Sequence, residues 1–144
     1  MKEIESFKID HTTLKKGLYV SRHDRCFLSC ATTYDVRMKT PYSEKPLDPK
    51  TSHTIEHCLA TFLRNTRDDV VYVGPMGCLT GFYVVVWGKK FVGNIRQSLA
   101  DAFKWITETD TVPGASMKEC GNYTFMDLED AKREAAEYLK ILEQ

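Results

Sequence analysis

His53-Thr54-Ile55-Glu56-His57 is the stretch of this chain whose residue types and spacing most directly suggest chemistry. Histidines at i and i+4 of a helix lie one turn apart on one face, so both can reach a single metal ion. Glu56 flanks the same face, where it can exchange a proton beside a metal without being a ligand itself. Ala60 and Arg64 continue that face. Ala60 leaves room for a bound molecule, and Arg64 lies roughly 10 Å along the axis from His57, placed to meet a carboxylate. The bland alternative is a polar helix face whose histidines only meet solvent. Two of the four histidines in the chain fall within these five residues, which favours metal binding.

Two histidines leave a metal short of ligands. Candidates for the third are Cys120, Cys78, His11, His23 and a distant carboxylate. Cys120 stands beside Gly121, where backbone can approach a metal closely. Cys78 lies in Pro75-Met76-Gly77-Cys78-Leu79-Thr80-Gly81, with a glycine before it and another three residues later, so it is poised on a bend. A small buried hydrophobe is the default for any free cysteine and suits Cys58, which falls on the core side of its helix. Cys26 and Cys30 have no evident role. The order H-x-x-E-H is also the inverzincin peptidase signature, for which Glu134 could be the third ligand. A short chain hardly provides the long cleft such a peptidase needs. A non-catalytic, zinc-stabilised module is a further alternative; it requires a closed site with Cys78 or His11 as fourth ligand.

The elements that must position these residues follow from periodicity. Residues 3–10 alternate as a strand, and Gly17 to Cys30 and Ala31 to Lys39 give two more extended segments. Pro41 through Pro49 reads as a loop that ends on Asp48-Pro49, an N-cap followed by proline at the first helical position. A helix from Pro49 to Asn65 turns Ile55, Cys58, Leu59, Phe62 and Leu63 to the core, opposite the histidines. Strands over 70–74 and 79–87 precede a helix from Val92 to Thr107, with Ile95, Leu99, Ala102, Phe103 and Ile106 inward. A loop over 108–126 leads to a last helix from Asp127. This order predicts an α+β fold with a mostly antiparallel sheet packed against helices, in a single domain over residues 1–144.

Composition narrows the partners. Twenty basic and twenty acidic residues balance, so no broad field draws nucleic acid or an anionic membrane. A small molecule is the expected ligand. Val70 to Gly88 carries no charge, but its glycines, Pro75 and its Val, Tyr and Phe content suit two buried strands better than a membrane helix. The start shows no apolar secretory segment, and five cysteines without a C-x-x-C pair argue against a disulfide framework. A cytoplasmic location is expected.

The motifs His53-Thr54-Ile55-Glu56-His57, Pro75-Met76-Gly77-Cys78-x-Thr80-Gly81 and Glu119-Cys120-Gly121, in this order, resemble the S-ribosylhomocysteine lyase family. Glu5-Ser6-Phe7 with Asp10-His11, Tyr34-Asp35-Val36-Arg37 and Asp127-Leu128-Glu129-x-Ala131 match as well, so the resemblance spans nearly the whole chain. It implies one divalent metal per chain held by His53, His57 and Cys120, with Fe²⁺ as the native ion and Zn²⁺ or Co²⁺ as substitutes. It implies Glu56 and Cys78 as acid/base groups, and Ser6, His11, Arg37 and Arg64 around the substrate. It further implies a homodimer with active sites at the subunit interface, and a fold shared distantly with the inverzincin peptidases. The implied reaction cleaves S-ribosylhomocysteine to homocysteine and 4,5-dihydroxy-2,3-pentanedione, the autoinducer-2 precursor. Two features depart from many members: Tyr72 stands where they have aspartate, and the segment from Arg22 to Thr33 is shorter.

Overall fold

Alternation from Gly17 onward produces a β-hairpin. Strand β1 (Gly17–Cys26) pairs antiparallel with β2 (Ser29–Arg37) across the two-residue turn Phe27-Leu28, with Phe27 in the left-handed region at φ 51°. This computed structural model describes residue 4 and residues 7–144. The uncharged stretch resolves into β3 (Val70–Pro75) and β4 (Gly81–Trp87), and the four strands form one antiparallel sheet in the order β1-β2-β4-β3. Among the described residues no helix is long and apolar enough to cross a membrane.

Three helices cover one face of the sheet. Helix α1 (Pro49–Thr66) starts as its sequence predicts, with Pro49 in the first turn and the Asp48 carboxylate accepting from Lys50 N–H at 2.9 Å. Its inner face buries Ile55, Cys58, Leu59 and Leu63 completely, while Phe62 is half-buried and packs on Trp105. Each fully buried aliphatic side chain contributes about 1.5–3 kcal/mol relative to exposure. Helix α2 (Arg96–Glu108) turns Leu99, Ala102, Phe103 and Ile106 inward, and α3 (Leu128–Leu142) adds Ala131, Ala135, Tyr138 and Leu142. Tyr138 donates its buried hydroxyl to Gly17 O at 2.6 Å, tying α3 to β1. From the sheet, Leu18, Tyr34, Val36, Phe82, Val84 and Val86 meet this core. The class is α+β.

Alternate residues point the other way, to a face that no helix among the described residues covers. It carries Tyr19, Tyr72 and Trp87, all exposed, beside buried Thr33, Asp35 and Arg37.

Three expectations need correction. The strand over 3–10 is absent from Phe7 to Asp10, where Phe7 ends a 3-10 turn and Lys8 and Ile9 form bends. Asp10 accepts from Thr12 N–H at 2.9 Å and from the Thr12 hydroxyl at 2.6 Å, a local bonding pattern that competes with a ladder. Glu3, Glu5 and Ser6 lie outside the described residues. The helix placed from Val92 begins only at Arg96, because Asn94 accepts from Phe91 N–H at 2.8 Å and closes a 3-10 turn over Val92–Asn94. The first strand also stops at Cys26 rather than Cys30, since the chain reverses there.

Candidate metal centre and thiol cleft

The outer face of α1 is covered by the loop that runs from α2 to α3. Two backbone carbonyls of that loop meet the two helix histidines: His57 Nδ1 donates to Pro113 O at 2.9 Å and His53 Nδ1 to Phe125 O at 2.8 Å. A carbonyl can only accept, so each neutral ring keeps its proton on Nδ1 and leaves the Nε2 lone pair free. The two rings stand edge-on, with centroids 4.8 Å apart. The same loop brings Cys120 over them, its Sγ 3.4 Å from His53 Nε2 and also accepting from Asn122 N–H at 3.4 Å. The far end of the loop is pinned to α1, where Asp127 N–H donates to the buried Thr54 hydroxyl at 2.9 Å.

One ligand atom each from His53, His57 and Cys120 lies within 4.8 Å of the others. Ligands sharing one tetrahedral zinc-like ion sit roughly 3.3–3.6 Å apart, from bond lengths near 2.0–2.3 Å. Two imidazoles anchored through Nδ1 and one thiol are therefore a donor set that fits a divalent ion, with small ring adjustments. Glu56 stands beside this trio, half-buried, with Oε2 3.9 Å from His57 Nε2. Among the described residues the group has three members, not the four of a closed structural zinc site. Neither His11 nor Cys78 joins it.

Glu134, which the peptidase alternative requires as third ligand, does not join the trio either. It lies buried on α3, ion-paired to Lys39 Nζ at 2.5 Å and to Arg133. Its helix face turns toward the end of β2, so its charge is already compensated there. His23 is engaged on β1, where its Nδ1 meets the Thr32 hydroxyl at 3.0 Å.

Cys78 belongs to a second cluster, built by the sheet. The turn between β3 and β4 closes through Leu79 N–H to Met76 O at 2.9 Å, with Leu79 in the left-handed region at φ 58°. Gly81 pairs with Arg37, and a Cβ there would lie 2.2 Å from Val36 O, so only glycine permits this approach of β4 to β2. That approach sets the Arg37 guanidinium, itself only 1% exposed, behind the turn. Arg37 is held by both Asp35 carboxylate oxygens, at 2.6 and 3.1 Å, and donates to the Thr80 hydroxyl at 2.6 Å. Cys78 Sγ is 3.0 Å from that hydroxyl and 3.9 Å from Arg37 Nη1. Burial raises the thiol, but the Thr80 hydroxyl and backbone and the Arg37 charge outweigh it, so its pKa lies below the ordinary thiol value.

The Cys78 thiol opens on a cleft of about 310 Å³ shared with His11, Pro41, Tyr42, Glu44 and Thr80. His11 donates from Nδ1 to Ile9 O at 2.8 Å, which leaves its Nε2 as an acceptor. Of the four residues expected around a substrate, His11 therefore lines this cleft and Arg37 supports it from beneath. Ser6 lies outside the described residues. Arg64 lies elsewhere, on exposed α1 surface, donating to Val71 O at 2.7 Å. Val71 is the extra residue of a bulge between β3 and β4. Sequence reasoning missed Pro113 and Phe125 as histidine anchors, and Asp35 and Thr80 as partners of Arg37 and Cys78. Only the Pro113-Gly114 turn signal and the Asp35-x-Arg37 spacing hinted at them.

Residues 4–144 match the family model described as S-ribosylhomocysteinase (LuxS). The chain is 49% identical to the S-ribosylhomocysteine lyase of Desulfotalea psychrophila over 142 residues, covering 96% of this chain and 89% of that protein. It is 46% identical to the S-ribosylhomocysteine lyase of Phocaeicola vulgatus, covering 99% of this chain and 92% of that one. With that of Borreliella afzelii it shares 44% identity, at 99% and 93% coverage. With the paired histidines, Cys120 and the Cys78 turn already in place, these matches make the chain a member of the S-ribosylhomocysteinase (LuxS) family.

Proposed function

We propose that this chain is a carbon–sulfur lyase that cleaves S-ribosylhomocysteine to homocysteine and 4,5-dihydroxy-2,3-pentanedione. The observation that carries the reading, beside family membership, is the anchored trio His53, His57 and Cys120 with Glu56 at its edge. The three residues would hold one divalent ion per chain, with Fe²⁺ the native ion and Zn²⁺ or Co²⁺ able to replace it. Bound there, the ion supplies Lewis acidity that polarises the sugar's carbonyl and hydroxyl oxygens.

The chain's own groups then move protons. Cleaving the thioether without net redox change requires shifting the sugar carbonyl from C1 to C3, after which loss of the C4 proton expels homocysteine from C5. Each step removes a proton beside a carbonyl and returns one to a neighbouring atom. Cys78, with its thiol pKa held low by Thr80 and Arg37, takes and returns carbon-bound protons at Sγ. Glu56 carries protons to and from the sugar oxygens through its carboxylate. Arg37 holds the thiolate's charge in place, His11 and Ser6 contact the rest of the substrate, and Arg64 joins them by exchanging its bond to Val71 O for one to the substrate.

The reading extends to a homodimer whose active sites lie at the subunit interface. The sheet face left open by the helices supports it: Tyr72 and Trp87 are 52% and 55% exposed there, and the buried Thr33 hydroxyl has no partner among the described residues. The cleft that holds Cys78 includes none of the trio, as expected if one subunit's thiol serves its partner's metal. The 144 residues act as one domain in the cytoplasm, on a fold related distantly to inverzincin peptidases. Incubating purified protein with S-ribosylhomocysteine and a thiol reagent tests the activity. Metal-dependent release of homocysteine is expected, and its absence from metal-loaded protein refutes the proposal. Sedimentation of a fully active monomer would refute the shared site.

A further inference from the structure

The loop over α1 turns sharply at Val112–Ala115, and the middle peptide of that turn is the one that meets His57. Ala115 N–H donates to Val112 O at 3.3 Å, with Pro113 and Gly114 between them and Gly114 at φ 67°. Proline in the second position and a positive φ in the third describe a type II turn. Types I and II differ by a half-rotation of the central peptide, so the second residue's carbonyl faces opposite sides in the two. Here that carbonyl is Pro113 O, which accepts from His57 Nδ1 at 2.9 Å. An ordinary L residue in the third position favours type I, which would swing the carbonyl away from the ring. The missing side chain also faces His57: a Cβ on Gly114 would lie 3.2 Å from Nδ1.

We infer that Gly114 is a positioning residue for the metal trio, acting through the Pro113 carbonyl. By holding the turn in its left-handed form it keeps the His57 proton on Nδ1 and presents Nε2 as a ligand. This rests on the reading of His53, His57 and Cys120 as metal ligands. Without the carbonyl, the neutral ring is free to carry its proton on Nε2 and to rotate, and metal binding must reverse both. Partners that orient a ligand histidine in this way are typically worth about 10–100-fold in metal affinity.

The test titrates chelator-stripped protein with Co²⁺ alone and reads affinity from the visible absorption of the bound ion. Gly114→Ala should weaken binding by about 10–100-fold. Gly114→Asn carries the same Cβ but enters the left-handed region readily, so it should recover the part of the loss that comes from the turn, though not the part that comes from a Cβ beside His57. Gly88 is the control, with φ 91° and a virtual Cβ that approaches only the flexible Lys90 side chain, at 3.1 Å. Gly88→Ala imposes a comparable backbone penalty away from the trio and should leave affinity unchanged. Three results overturn the inference: Gly114→Ala binding like wild type, Gly114→Asn binding no better than Gly114→Ala, or Gly88→Ala weakening binding equally. Wild-type protein that takes up no Co²⁺ overturns the metal reading and this inference together.

Discussion

The metal trio and the Cys78 cluster each centre on one cysteine, and each is supported in a different way. Around the trio, support comes from backbone: a helix sets the histidines one turn apart, and two loop carbonyls fix their rings. Around Cys78, support comes from buried side chains, with Asp35 gripping Arg37 and Arg37 reaching Thr80 and the thiol. The first arrangement leaves neutral lone pairs pointing inward, as a metal site requires. The second places a fixed cation behind a sulfur, which stabilises a thiolate. Two cysteines of one chain thus have different surroundings, which suit the roles proposed for them, Cys120 as a ligand and Cys78 as a proton carrier.

The comparison is sharpest at the edge of the trio. Glu56→Gln keeps shape but cannot accept a proton, so turnover should fall about 10²–10⁴-fold, roughly 3–5 kcal/mol of barrier, while metal content stays near one ion per chain. Elemental analysis and homocysteine release on the same preparation decide it; near-normal turnover would remove Glu56 from the chemistry.

On the thiol side the largest effect is on stability. Arg37→Met leaves the Asp35 carboxylate buried without its cation, which costs about 3–5 kcal/mol in chemical denaturation. Co²⁺ affinity in the surviving folded protein should be unchanged, because Arg37 touches no trio residue. A parallel loss of metal would merge two clusters that the comparison separates.

Thr54→Val removes the hydroxyl that accepts from Asp127 N–H and holds the end of the loop. Losing this part-buried hydrogen bond costs about 0.5–1.5 kcal/mol. Amide hydrogen exchange should speed up near Phe125 and Asp127 but not near Cys78. Uniform acceleration across both regions would deny the loop its local role.

The smallest effect is a shift along the pH axis. Because Thr80 and Arg37 hold the Cys78 pKa below the usual thiol value, Cys78 should alkylate at pH values where an ordinary thiol is still protonated. Thr80→Val removes a hydrogen bond to the thiolate, so the midpoint of the rate–pH profile should move upward. A midpoint that stays put or moves down would assign the low pKa to something other than Thr80.

How far each region is legible in sequence follows from the same contrast. The His53–His57 spacing is a helical repeat, and the capped start at Asp48-Pro49 marks the helix that displays it. Cys120 is one candidate among several by residue type and is singled out only by the family resemblance, because it closes on His53 across a loop with no periodicity. The carbonyls of Pro113 and Phe125 leave almost no trace beyond the Pro113-Gly114 turn signal, since a backbone group has no residue type to notice. Arg37 alternates with Val36 as a solvent-facing strand residue would, yet the register opposite Gly81 buries it under the Cys78 turn. Arg64 shares the histidines' helix face by spacing, but a bulge frees the Val71 carbonyl and takes its guanidinium. The expected first strand fails where Asp10 bonds its own neighbours.

The central claim is that the two cysteines differ in role, and metal content of two alanine variants tests it most directly. Cys78→Ala and Cys120→Ala should be purified side by side and analysed for iron, zinc and cobalt per chain. One ion per chain in Cys78→Ala and none in Cys120→Ala is the predicted result. Metal lost from Cys78→Ala, or retained in full by Cys120→Ala, would contradict the assignment.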